Sequence, residues 1–153
     1  MAPCIHEAGH AVVAHLLGIC IDCVLVTPEG AGETRLAEKG TIPLSPPDSD
    51  RREIQIALAG EIAETRYCEI VGLPETPGQH PRWGRDQDNH RAHMVSVKTV
   101  GGDYERAQEL ITDLRPRVEV EVERNWDQIV QLANDLYRDG NLSGPGLDRI
   151  LGS

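Results

Sequence analysis

The run His6-Glu7-Ala8-Gly9-His10 holds the residues with the clearest chemical use. On a helix, two histidines four apart are separated by about 400° of turn, so both imidazoles lie on one face, one turn apart. From there two ring nitrogens can meet a single Zn²⁺ at about 2.0–2.1 Å. Glu7 is offset from His6 by about 100° and does not join them as a ligand. It is placed instead to act as general base toward a metal-bound water. A histidine pair does not complete a catalytic zinc site, which takes three protein ligands and an open position.

The third ligand must come from farther along the chain. One zinc peptidase pattern extends the motif to HExxHxxGxxH, but this chain has Val13 at the glycine position and Leu16 at the third histidine. His15 follows His10 by five residues, about 140° away around the helix, and is not expected to join. The open candidates are Asp86, Asp88, His80, His90 and His93, together with Glu61 and Glu64, which stand on a second predicted helix. Asp86 and Asp88 both fall near a helix start, where a carboxylate is favourable. A Glu ligand from the second helix would make a standalone HExxH peptidase of another kind. Cys20-Ile21-Asp22-Cys23 is a CxxC that Cys4 or Cys68 would have to complete. It lies on a predicted strand, however, and is read as small buried hydrophobes.

Elements that could position these groups follow from pattern. Pro3 suits a first helical turn and Gly18 a stop, with Ile5, Val12, Val13, Leu16 and Leu17 apolar between them. The β-branched run 19–26 reads as a strand, and the Gly30–Gly40 stretch as turn or loop. Thr41 to Leu44 reads as a short second strand, which Pro43 confines to an edge. A helix is expected over 50–69, capped by Ser49 or Asp50. A Pro- and Gly-rich loop over 71–84 follows, then a helix over 86–100 ended by Gly101-Gly102. Tyr104 to Leu114 reads as helix, and Pro116 as a kink or new start. Val118, Val122, Trp126, Ile129, Ala133 and Leu136 continue one helical face, which outweighs the strand-like alternation of Val118 to Glu123, with Glu119, Glu121 and Glu123 to solvent. A short last helix opens near Leu142–Pro145. The fold class is mainly α with a small β element, in one domain over residues 1–153.

Composition narrows the partners. The chain has 153 residues and a net charge of −10, which argues against a nucleic-acid groove or an anionic membrane surface. Aromatics are few and Phe is absent, so the core must be Leu, Ile, Val and Ala, and base-stacking platforms are not expected. The longest nearly apolar stretch, Ala11–Ile21, falls short of the ~20 residues of a membrane span. No basic n-region or GxxxxGK[ST] occurs. Sparse cysteines point to a reducing, cytoplasmic setting.

Beyond single motifs, Ile5-His-Glu-Ala-Gly-His-Ala-Val-Val-Ala14 resembles the zinc-binding helix of the FtsH-type metallopeptidases. Ile54-Gln-Ile-Ala-Leu-Ala-Gly-Glu-Ile-Ala-Glu64 is similar to that family's IxxxLxGxxAE helix, and Asp88-Asn-His-Arg-Ala92 to its Asp-x-x-Arg-Ala. Val120 to Leu151 resembles its C-terminal helical segment. The resemblance spans nearly the whole chain, in order. It implies an FtsH peptidase-like helical fold, with His6, His10 and Asp88 as zinc ligands and Glu7 as catalytic base. The implied substrate is a peptide or unfolded protein, laid along an edge strand near the metal, with 19–26 or 41–44 as candidates. That family carries the domain behind a membrane anchor and an AAA+ ATPase. Neither is read in these residues, so the expected partner is a separate ATPase or a second copy. A non-catalytic zinc-binding adaptor is the alternative, and Glu7, which a structural zinc site does not need, argues for the enzyme.

Overall fold

Pro3 in the first turn and Gly18 just past the end set the limits of helix α1 (Ala2–Leu16). Gly18 takes φ +81°, a left-handed conformation that glycine adopts without cost. Residues 2 and 4–14 of this helix are all buried. A helix buried on nearly every side belongs inside a fold rather than on its surface, and α1, with its polar His6, Glu7 and His10 buried too, is the central rod of this one. The computed structural model describes residues 1–73 and 83–152. The expected loop over 71–84 lies largely outside the described residues.

Strand β1 (Cys20–Val26) follows where expected. The second strand does not lie at 41–44. Residues 27–31 form the turn, through Thr27 N–H to Ala31 O at 2.7 Å and Gly30 N–H to Thr27 O at 2.9 Å. β2 (Gly32–Ala37) then pairs antiparallel with β1, Val24 opposite Thr34, with an irregularity between Ile21 and Cys23. A strand of Gly-Glu-Thr-Arg-Leu-Ala carries little apolar pattern because it is a largely exposed edge. Thr41–Leu44 instead ties back to the α1–β1 junction: Thr41 Oγ1 accepts from Cys20 N–H at 3.0 Å, and Ile42 N–H donates to Gly18 O at 2.7 Å.

Helix α2 (Asp48–Val71) starts after Pro47, without a side-chain cap from Ser49 or Asp50. Asp50 is buried and accepts from Thr99 Oγ1 at 3.3 Å, so its carboxylate ties two helices together instead. Helix α3 (Trp83–Thr99) ends before Gly101 and Gly102, both at positive φ. Helix α4 (Tyr104–Arg124) continues through Pro116 rather than starting anew there. Pro116 and Thr112, whose carbonyl loses its partner there, are both exposed to water. The break falls at Asn125, whose side-chain amide donates to Glu121 O at 2.8 Å and competes with the helix ladder. Helix α5 (Trp126–Asp139) resumes the same face, so Val118, Val122, Ile129, Leu132, Ala133 and Leu136 are all buried.

Strand β3 (Asn141–Ser143), which pattern did not predict, pairs with β1 at Leu142 opposite Val24 before helix α6 (Gly144–Leu151). The sheet order is β2-β1-β3. β1 is therefore flanked on both sides, and an added strand would have to join at β2 or β3. The core is Ile, Leu, Val and Ala, with Trp126 and Tyr67 at its margin. Among the described residues no helix is long and apolar enough to cross a membrane.

Helices α1 and α2 approach closely at Gly9. A Cβ there would lie 2.7 Å from Ala63 Cβ and 2.8 Å from Ala59 O. Gly9→Ala should therefore destabilise the fold despite alanine's better helix propensity, by about 1–3 kcal/mol of overpacking. Gly146→Ala in α6, with open space around it, should be neutral or slightly stabilising. Denaturant melts of the two variants check this, and equal midpoints would refute the close approach.

Candidate metal centre

Helix α1 carries His6 and His10 one turn apart, with ring centroids 4.8 Å apart and nearly perpendicular. Their Nε2 atoms are 3.1 Å from each other, and each is 2.9 Å from Asp88 Oδ2, which α3, packed on α2, brings to them. The other ring nitrogens are engaged behind. His10 Nδ1 lies 2.7 Å from Ile56 O, and His6 Nδ1 lies 3.0 Å from Glu64 Oε2. A carbonyl and a carboxylate only accept, so both Nδ1 atoms are the protonated ones. In the neutral rings both Nε2 lone pairs then face a carboxylate lone pair.

That arrangement fits a metal ion. Four donors at about 2.0–2.1 Å in a tetrahedron stand about 3.3 Å from one another, and three such donors are supplied here at close to that spacing. A histidine that ligates a metal typically donates its other N–H to a carboxylate or carbonyl, as both do here. Gly60 of α2 supplies the space. A Cβ at Gly60 would lie 2.4 Å from His10 Nε2 and 2.6 Å from His6 Nε2, at the donors themselves. Among the described residues, His6, His10 and Asp88 form the group able to hold a metal ion.

The electrostatics point the same way. Burial by itself would lower the pKa of His6, but hydrogen bonds to Asp88 and Glu64 outweigh it and raise the pKa to about 9. Burial would raise Asp88, yet its hydrogen bonds to His10 and His6 hold it well below the usual carboxylate range. The cluster thus calls for a positive charge, which a proton or a divalent ion can supply.

Glu7 stands beside the donors rather than among them. Its Oε2 accepts from Thr34 Oγ1 at 2.8 Å, and its side chain is buried against Gly32. His10, Asp88 and Glu7 line a cleft of about 620 Å³ that also meets Leu36, Ile56, Arg52 and Arg91. Arg91 is tied to Glu53 at 2.7 Å.

The remaining candidates lie elsewhere. Glu64 is behind His6, outside the donor triangle. Glu61 faces Arg115 at 3.9 Å. Asp86 and His90 are exposed, and His93 stacks on Tyr104 at 5.7 Å. His80 lies outside the described residues. His15 sits in the last turn of α1 and takes no part. Cys20 and Cys23 join no such group among the described residues, and no disulfide links the cysteines.

Sequence reasoning missed Gly60 and Thr34 as parts of the site. Gly60 did leave a signal, since glycine in a helix interior costs about 0.5–1 kcal/mol against alanine and calls for a packing reason. Neither a scan against protein-family models nor a search of the curated proteins finds a match for this chain.

Zinc titration followed by dialysis and metal analysis should retain about one equivalent. Asp88→Ala and Gly60→Ala should each abolish that retention, whereas Asp86→Ala should leave it intact. Glu64→Ala should weaken affinity about 10–100-fold. Because His6 must lose a proton held to about pH 9, affinity should fall with decreasing pH, by about tenfold per unit for each proton displaced. A pH-independent affinity would show that these nitrogens do not bind the metal.

Proposed function

We propose that this chain is a zinc-dependent endopeptidase of the FtsH peptidase type, acting in a reducing, cytoplasmic compartment on peptides or unfolded segments. The observation that carries this reading is the position of Glu7. A buried carboxylate, next in the chain to one donor, lines the same cleft as the donors His10 and Asp88 without being one of them. A purely structural zinc site has no use for such a group, whereas peptide hydrolysis needs a base there. The order of the parts supports the family assignment: the HExxH helix, then the helix with Gly60 and Glu64, then the helix with Asp88, Arg91 and Ala92.

Zinc, when bound, polarises the scissile carbonyl and acidifies water. His6 and His10 would bind it through Nε2 and Asp88 through Oδ2. Glu64 and the Ile56 carbonyl hold the two rings in the tautomer that leaves those nitrogens unprotonated. Glu7 takes a proton from the attacking water as the new C–O bond forms. It then gives that proton to the departing nitrogen as the C–N bond breaks, so the carboxylate is regenerated. β2 is hydrogen-bonded within the sheet to β1. Its other edge suits an extended substrate, which would add as a further strand.

Glu7→Gln should keep full zinc retention and lower cleavage of unfolded casein or a peptide library about 10²–10⁴-fold. Fully zinc-loaded wild type that cleaves neither substrate would replace the peptidase with a zinc-binding adaptor module.

A further inference from the structure

The edge strand does more than border the cleft. Thr34 stands opposite Val24 in the β1–β2 register, and its hydroxyl faces α1. Thr34 Oγ1 lies 2.8 Å from Glu7 Oε2 and 3.2 Å from the Glu7 backbone oxygen. A hydroxyl has one proton to donate, and the shorter, charge-assisted bond to the carboxylate takes it. Two residues earlier, the Gly32 backbone lies against the same side chain. A Cβ at Gly32 would be 2.4 Å from Glu7 Cγ and 2.6 Å from its Oε1. Glu7 is thus held from one strand by two devices, a hydrogen bond on Oε2 and a close backbone wall beside Oε1.

We propose that Thr34 is a positioning residue for Glu7, fixing the carboxylate through Oε2 so that Oε1 is the oxygen presented to the reacting groups. The catalytic consequence rests on the peptidase reading, and the hold on Glu7 does not. The register matters because a slip of one residue would turn Thr34 away and bring Glu33 or Arg35 to this face. Either would set a charge beside the carboxylate in place of a neutral donor. The same strand that would take the substrate therefore also sets the base, and the two are aligned by one set of ladder hydrogen bonds.

The test uses the full chain, zinc-loaded, with Thr34→Val and Thr34→Ser. Valine keeps the shape and the strand preference but loses the donor, and serine keeps the donor. Thr34→Val should lower kcat for a fluorogenic peptide about ten- to hundredfold, the range expected when a catalytic group is misplaced by about 1 Å. KM should stay within about twofold, zinc retention should be unchanged, and Thr34→Ser should recover most of the rate. Added to Glu7→Gln, Thr34→Val should cost nothing further, since both act through one carboxylate. A crystal structure of Thr34→Val should show the Glu7 carboxylate displaced from the Gly32 wall. This arm depends on neither turnover nor metal. An unchanged kcat, a serine variant as slow as valine, or a carboxylate that has not moved would overturn the assignment. If wild type cleaves nothing, the peptidase reading fails, and the Glu7 position in the valine variant still decides whether Thr34 holds it.

Discussion

Two buried imidazole nitrogens and a partly buried carboxylate oxygen point at one spot, each within 3.1 Å of the others. Lone pairs so arranged repel unless a positive charge lies among them. Burying polar groups without such compensation costs several kcal/mol. The surrounding structure is organised to keep them there anyway. Glu64 and the Ile56 carbonyl occupy the back nitrogens, so neither ring can turn its protonated edge inward without abandoning a buried hydrogen bond. Such an arrangement is stable with a cation at its centre.

The requirement propagates outward through small residues. To present two histidines on one face while buried on every other, α1 must be enclosed by neighbours that come very close. Gly9 lets α2 approach at Ala59 and Ala63, and Gly60 leaves room for both Nε2 atoms. A side chain at either glycine would push α2 away, and Ile56 and Glu64 would leave the rings together with it. One helix–helix contact therefore sets packing and donor geometry at once, and the two are not independently adjustable.

The sheet plays a comparable part on the opposite flank. β1 is held between β2 and β3 and packs Val24 into the core, so the register of β2 is anchored by the central strand of the sheet. Through that register β2 places Gly32 and Thr34 against Glu7. Donor atoms are thus supported by the helices, and the neighbouring carboxylate by the strand. The two supports meet at α1, where His6 and Glu7 are adjacent in the chain.

Much of this was legible from residue order. The i, i+4 histidines, the neighbouring glutamate, the helical face from Val118 to Leu136 and the strand at 19–26 all follow from local periodicity, because a helix or strand turns its side chains by a fixed angle per residue. Local rules failed where an element is defined by its partner. β2 was hidden because an exposed edge strand has no apolar alternation, β3 because three residues hold too little pattern, and the Asn125 break because one side chain competed with a continuing face. Asp88 lies 82 residues from His6 and 78 from His10. Among its acidic and histidine neighbours, periodicity alone did not single it out. Only the packing of α3 on α2, and of α2 on α1, brought its oxygen to the two nitrogens and set Glu64 behind a ring rather than before it, and only the closed fold gave Gly60 and Thr34 their places. Residue spacing determined which donors share a helix face, because that is a property of one segment. What completes and orients them is decided by contacts between distant segments, which exist only once the core has closed.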